Sequence, residues 1–276
     1  MEIQYKLQQE FQLKAAQVEN VIKLIDEGNT IPFIARYRKE MTGSLDDQIL
    51  RSLSERLSYL RNLEEKREQV KNIITEQGNM TEEIAQKLSI AQTMTEIEDI
   101  YRPFRPKRRT RATIAKEKGL EPLADLIWIQ KLSDTLEHMA QPFLDTEKGV
   151  QTIEEAIAGA KDILAERISD NADFRKLLRT EIIKNGFLTA KATDDTKQSV
   201  YEMYYCFQEP IKKVAGHRVL AINRGEKEDF LTVKIIPEEE NKLLQKLEYK
   251  IILPQSNTKQ LLQEVIADSY KRLIAP

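Results

Sequence analysis

A run of 34 residues with neither glycine nor proline separates Gly43 from Gly78. Glycine closes helices and proline breaks them, so this run can form one uninterrupted helix. Ser44 and Asp47 stand at capping-box spacing, which predicts a helix from Ser44 to Gln77, roughly 48 Å long at ~1.5 Å per residue. Its apolar seam is Ile49, Leu53, Leu60, Leu63, Val70 and Ile74, with Arg56 and Arg67 interrupting it. Such a segment indicates a spine helix with partial coiled-coil character.

Glycines mark the ends of the other helical patterns as well. They are Gly28, Gly43, Gly78, Gly119, Gly149, Gly186 and Gly225. Glycine adopts the left-handed conformation that closes a helix at little steric cost, and we expect it in that role here. Further helices are predicted before Gly28 (with Val18, Val21, Ile22 and Ile25 on one face), after Thr81, near Thr93 and Pro122, from the capping box Thr152–Glu155, over 171–184 and over 258–273.

Signals for β-structure are few. Leu231–Ile236 and Tyr249–Leu253 predict two short strands, whereas the polar residues 187–199 predict a loop. The fold class is therefore predicted to be all-α, an elongated multi-helix array with at most a minor pair of short strands. The expected divisions are an N-terminal helical region with the spine helix at 1–78, a helical bundle at 79–199 and a C-terminal helical segment at 200–276.

The segment from Tyr101 to Arg111 concentrates positive charge. Its cations are Arg102, Arg105, Lys107, Arg108, Arg109 and Arg111, in a chain whose formal net charge is -2. Two prolines disfavour helix and predict an extended surface loop, in which Tyr101 and Phe104 could stack on bases. Guanidinium groups bind phosphate through paired hydrogen bonds, so nucleic acid is one candidate ligand. Ion pairing with acidic helices of the same chain, and contact with a protein partner, are the alternatives.

A second cationic cluster combines Arg36, Arg38 and Lys39 with the aromatic residues Phe33 and Tyr37. If this segment is helical, Arg36 and Lys39 share a face. We predict these three cations as secondary nucleic-acid contacts. The structural alternative is that Phe33, Ile34 and Tyr37 pack while Arg36 pairs with a carboxylate.

Residues for catalysis are sparse. One cysteine excludes an internal disulfide, and its neighbours Tyr205 and Phe207 predict that Cys206 is buried. His138 and His217 lie far apart without partners at metal-ligand spacing, and no phosphate loop, dinucleotide fingerprint or nucleophile elbow occurs. We therefore expect no enzyme activity, no metal and no cofactor. The polar N-terminus and the absence of a ~20-residue apolar run predict a cytoplasmic protein without membrane contact.

Several longer motifs resemble the Tex family of bacterial transcription accessory proteins. They are Ile31–Gly43, Glu98–Arg111 with its continuation to Ala115 and Gly119–Ala124, His217–Arg218, Asn223–Glu226, and Asp268–Leu273. The resemblance covers nearly the whole chain. It implies an N-terminal helical region with a helix-turn-helix-like element, followed in full-length members by RNase H-like, helix-hairpin-helix and OB-fold RNA-binding domains. We accordingly expect this chain to be an N-terminal fragment that stops before the RNase H-like domain.

The resemblance implies two competing functions. The first is non-specific contact with RNA or DNA through the two cationic clusters, as part of a transcription factor. The second is a helical scaffold that positions the other domains or contacts RNA polymerase or other transcription proteins. Because the family's OB-fold is expected to supply much of the nucleic-acid affinity, the first function does not require tight binding by this region alone.

Overall fold

A computed structural model describes residues 3–106, 108–130 and 135–276, which group into two compact units, Met1–Phe104 and Arg105–Pro276. The described part of the first unit forms seven α-helices: α1 (Ile3–Phe11), α2 (Ala15–Asp26), α3 (Ile31–Tyr37), α4 (Lys39–Thr42), α5 (Asp47–Glu76), α6 (Glu82–Ile90) and α7 (Met94–Tyr101). The described part of the second unit forms eight: α8 (Arg111–Glu117), α9 (Glu121–Ile129), α10 (Leu136–Ala140), α11 (Ile153–Asp170), α12 (Ala172–Asn185), α13 (Gly216–Lys227), α14 (Glu240–Ile251) and α15 (Lys259–Ser269).

The predicted spine helix is α5, and its end before Gly78 is confirmed. Its predicted start is wrong. Ser44 has a φ of 62° and lies in the turn after α4, so it cannot cap the helix. The cap is Asp46, whose carboxylate accepts a hydrogen bond from the Ile49 amide at 2.8 Å.

The buried seam of α5 consists of Leu50, Leu53, Leu57, Leu60, Leu63, Val70 and Ile74. Arg67 falls on this seam between Leu63 and Val70, and its side chain is 15% exposed. Its guanidinium donates to the carbonyl oxygens of Leu88 at 2.9 Å and Ala91 at 2.8 Å, and it pairs with Glu64. The arginine that interrupts the apolar pattern therefore ties α5 to the C-terminal end of α6.

The second unit is organised around α11. The predicted capping box is confirmed, since Thr152 and Glu155 bond each other's backbone amides. The predicted stripe is also confirmed: Ala156, Ala160, Ile163 and Leu164 are buried. These residues pack in one apolar cluster with side chains of α8, α9, α14 and α15.

The prediction of an all-α fold with at most two strands is wrong in one respect. Three strands, β1 (Phe187–Ala192), β2 (Cys206–Pro210) and β3 (Leu231–Ile236), form an antiparallel sheet in the order β2-β1-β3. β3 confirms one predicted strand, whereas β1 occupies half of the predicted loop. β1 pairs on both sides, from Phe187 opposite Pro210 and Ile236 to Lys191 opposite Cys206 and Thr232. Long-range pairing, rather than its own composition, makes this segment a strand.

Two further predictions about the second unit are wrong. Tyr249–Leu253 is not a strand, because α14 continues to Ile251 with Leu243, Leu247 and Ile251 buried at helical spacing. Cys206 is exposed, because strand alternation turns Phe207 toward the small cluster of Tyr204 and Ile222 and turns its neighbour away. The division into regions 1–78, 79–199 and 200–276 stays a prediction.

Candidate nucleic-acid interface

The second cationic cluster lies in the first unit, on α3 and the start of α4. We call Phe33, Arg36, Tyr37, Arg38 and Lys39 the α3–α4 patch. α3 follows α2 after a short connection containing Gly28, whose φ is 82°. This helix–turn–helix order corresponds to the predicted helix-turn-helix-like element, which stays a prediction.

The backbone of the α3–α4 patch is fixed by contacts with α2 and by a buried residue of α3. Ile34 is fully buried on the inner face of α3. Asn20 donates from α2 to the Met41 carbonyl at 2.8 Å, and Gln17 donates to the Thr42 carbonyl at 3.1 Å. Gly43 ends α4 with a φ of 67°, and a Cβ there would lie 2.6 Å from the Gln17 amide nitrogen. α2 therefore fixes the end of α4 and with it the position of the patch.

The cations of the α3–α4 patch are not neutralised by any described residue. Arg36, Arg38 and Lys39 form no ion pair with any residue that the structure describes. The Arg36 guanidinium carbon lies 6.0 Å from the centroid of the Tyr37 ring, and that of Arg38 lies 5.2 Å from the centroid of Phe33. Arg38 also donates to the Tyr37 carbonyl oxygen at 3.3 Å.

Tyr37 is 56% exposed, and its ring centroid lies 5.2 Å from that of Phe33 with the planes tilted by 48°. The structural alternative is thus confirmed for Ile34, which is buried, and wrong for Arg36, which has no carboxylate partner among the described residues. Tyr37 packs on Phe33 but remains largely exposed. What the structure displays is an aromatic pair flanked by guanidinium groups on a rigid support.

The basic segment from Tyr101 to Arg111 spans the junction of the two units. Arg102 lies in a 3₁₀ turn, Arg102–Phe104, directly after α7, and Arg105 follows that turn. Both arginines already interact within the chain. Lys107 lies outside the described residues. Tyr101 and Phe104 are half-buried, which leaves less ring surface for bases than the sequence predicts.

The second half of this segment is partly neutralised from within, since one of its three described cations, Arg109, forms an ion pair. Arg109 pairs with Glu117 at 2.8 Å, and Arg111 begins α8 near Asp162 of α11. Burial raises the pKa of Asp162, and the positive charges of Arg272 and Arg111 oppose that rise. Arg108 is exposed and forms no ion pair within the described parts of the chain.

Two lysines that follow the segment also interact within the chain. Lys116 pairs with Glu121 at 2.8 Å, and Lys118 donates to the Gly149 carbonyl oxygen at 2.7 Å. Charge density in the sequence therefore overestimates the charge available to a ligand here. Among the described residues, the α3–α4 patch, which the sequence ranks second, offers more cations without an ion pair.

Across the described residues, no group of three or more His, Cys, Asp or Glu side chains is placed to hold a metal ion. His138 is exposed on α10. Within the same residues, no helix combines the length and apolar character needed to cross a bilayer.

Two domain families match the sequence. Residues 1–75 match the Tex-like protein N-terminal domain, and residues 132–272 match the Tex central region. The first match contains the α3–α4 patch, and the second contains α11, the sheet and most of the second unit's core. The chain belongs to the Tex family.

Individual relatives agree with this assignment. A Bacillus subtilis protein called "Uncharacterized protein YdcI" is 47% identical over 99% of the chain, and "Transcriptional accessory protein Tex" of Neisseria gonorrhoeae is 36% identical over 92%. The human "S1 RNA-binding domain-containing protein 1" is 29% identical over 78%. The chain spans 38%, 33% and 22% of these three relatives, respectively.

Proposed function

We propose that this chain is the N-terminal and central part of a transcription accessory factor, and that it contacts nucleic acid without sequence preference through the α3–α4 patch. The observation that carries the proposal is the set of three cations, Arg36, Arg38 and Lys39, with no ion pair to described residues on a fixed backbone. Arg108 is the best-placed additional contact from the basic segment.

The relatives support the same proposal. One is named a transcriptional accessory protein, and another is named for an RNA-binding domain. The chain matches less than two fifths of each relative, so its contribution is proposed as an accessory contact that acts beside other domains. Contacts to phosphate position a nucleic acid without reading its sequence, so little sequence preference is expected. The proposed role is binding and positioning, without catalysis.

The test is fluorescence anisotropy with labelled single- and double-stranded DNA and RNA over a salt series. Four to six phosphate contacts give a slope of about -4 to -5 for log affinity against log salt on duplex DNA. Arg36→Ala/Arg38→Ala/Lys39→Ala should weaken binding to all sequences alike and reduce the steepness of that slope by about 2 to 3. Arg108→Ala/Arg109→Ala/Arg111→Ala should have a smaller effect, because Arg109 is already paired and Arg111 lies in the field of Asp162.

A matched control removes the same charge elsewhere. Lys212, Lys227 and Lys250 are exposed and form no ion pair with the described residues. Their joint replacement by alanine should leave affinity and salt slope unchanged within about twofold, since they lie outside the patch. Absence of binding by the wild-type chain at low salt would refute the proposal. An equal loss of affinity in the Arg36/Arg38/Lys39 variant and in the Lys212/Lys227/Lys250 control would also refute it.

The alternative function, a helical scaffold that contacts the transcription machinery, is favoured by a separate observation. The basic segment is partly neutralised by the Arg109–Glu117 pair and by Asp162 near Arg111, as expected for a structural connection. Capture of RNA polymerase by the wild-type chain and equally by the Arg108/Arg109/Arg111 alanine variant would support the scaffold.

A further inference from the structure

We infer that the α3–α4 patch binds an unpaired base of single-stranded nucleic acid, with Tyr37 as the stacking surface and the adjacent cations as phosphate contacts. This inference rests on the proposed function and specifies its ligand.

The side chain of Tyr37 is not part of the buried core of the first unit. Ile34 is the fully buried anchor of α3, whereas the next turn of the helix presents Tyr37 with 56% of its surface exposed. Phe33 is one helical turn earlier, is half-buried, and contacts the Tyr37 ring at a centroid distance of 5.2 Å. A ring supported on one side and open to solvent on another can stack on a base without rearrangement of the backbone.

The surrounding charges fit the same ligand. The Arg36 guanidinium lies near the Tyr37 ring and that of Arg38 lies over Phe33, so both cations border the aromatic pair. Lys39 is exposed at the first turn of α4. A base on Tyr37 would bring its flanking phosphates to these cations, the combination of stacking and backbone charge found in single-strand binding sites.

Duplex nucleic acid fits the site less well. Bases inside a duplex are stacked on each other, and their faces are accessible only at ends or after unpairing, which costs free energy. A duplex bound by α3 as the second helix of a helix-turn-helix would use groove and phosphate contacts instead. In that arrangement the Tyr37 ring has no base face to stack on. Removing the ring should therefore weaken single-strand binding more than duplex binding.

The test compares Tyr37→Ala, Tyr37→Phe and wild type in the full chain, using fluorescein-labelled dT12, rU12 and a 20-base-pair duplex. Stacking is worth about 1–3 kcal/mol per base, so Tyr37→Ala should weaken single-strand binding about 5- to 150-fold. Duplex binding should change less than twofold, and the salt slope should stay constant because no charge is removed. Tyr37→Phe keeps the ring and should retain wild-type affinity within about threefold.

A matched control is Tyr249→Ala, which removes a tyrosine that is 87% exposed on α14. It should leave binding to all three probes unchanged. Circular dichroism and thermal melting verify folding of each variant.

Three outcomes separate the inference from the proposed function. If Tyr37→Ala leaves single-strand affinity intact while Arg36→Ala/Arg38→Ala/Lys39→Ala abolishes binding, the stacking site is overturned and phosphate contact survives. Equal losses on single strand and duplex overturn it in favour of groove docking by α3. No binding of any probe by the wild-type chain overturns the proposed function and the inference together.

Discussion

At the residue scale, Gly186 is needed for steric reasons. It follows α12 with an ordinary φ of -85°, but an added Cβ would lie 2.5 Å from the Ile182 carbonyl oxygen and 2.9 Å from that of Ile236. Both neighbours are backbone atoms, so the junction of α12, β1 and β3 would have to shift. We expect Gly186→Ala to lower the free energy of unfolding by about 1–3 kcal/mol, measured by urea denaturation.

Gly216→Ala is the matched control, because the added methyl group meets nothing within 4 Å. At the first position of α13, alanine should be neutral or slightly stabilising. Equal destabilisation by the two substitutions would show that the close approach at Gly186 is not what selects glycine there.

Single residues also show the limits of prediction from sequence. The pattern correctly placed Gly28, Gly78 and Gly119 in the left-handed region, because local turn geometry decides that requirement. The same left-handed role is wrong for Gly186, whose φ is -85°, and for Gly225, which lies within α13. Part of the close approach at Gly186 comes from Ile236, fifty positions later, which a local pattern cannot show. Prediction of the candidate site has the same limit, because ion pairs depend on long-range contacts. Composition identifies the cations, but only the fold determines which of them meet a carboxylate.

At the scale of elements, Arg67 controls the attachment of α6 to α5. A planar guanidinium reaches the Leu88 and Ala91 carbonyl oxygens together with Glu64, whereas a lysine ammonium on the same seam position cannot reproduce this fork. We expect Arg67→Lys to lower the free energy of unfolding by about 1–2 kcal/mol, because a partly buried carbonyl loses its partner. Hydrogen exchange should increase at the C-terminal end of α6.

Arg51→Lys provides the comparison within the same helix. Arg51 pairs with Asp47 one turn away, and its side chain is 56% exposed. Such exposed pairs contribute little, so this change should stay within about 0.5 kcal/mol. If Arg51→Lys and Arg67→Lys are equivalent, charge rather than the fork geometry explains the role of Arg67.

Helices were predictable because their signals are local, whereas only one of the three strands, β3, was predicted correctly. The capping box at Thr152 and the seam of α5 follow from residues within a few turns. β1 has a weak pattern and becomes the central strand because two distant segments pair with it. Arg67 looked like an interruption of the seam because its partners lie in another helix.

At the scale of the whole molecule, the chain has two compact units, and each buries apolar side chains. In the first unit, Leu50, Leu53 and Ile74 of α5 are fully buried. In the second unit, the cluster around α11 includes Ala160 and Leu164. We expect each compact unit to contain most of the apolar burial that its fold needs.

Limited trypsin digestion followed by mass spectrometry should therefore cut first near the junction, after Arg108 and Arg109, which are both exposed outside helices. Arg102 and Arg105 precede prolines and resist trypsin, and Arg111 begins α8. The products 1–108 and 109–276 should persist and keep helical circular dichroism, because each retains its own core. Replacing Lys107, Arg108 and Arg109 with glutamine should delay the first cut at least tenfold without changing the melting temperature. Rapid loss of either fragment after the first cut would show that its core depends on the rest of the chain.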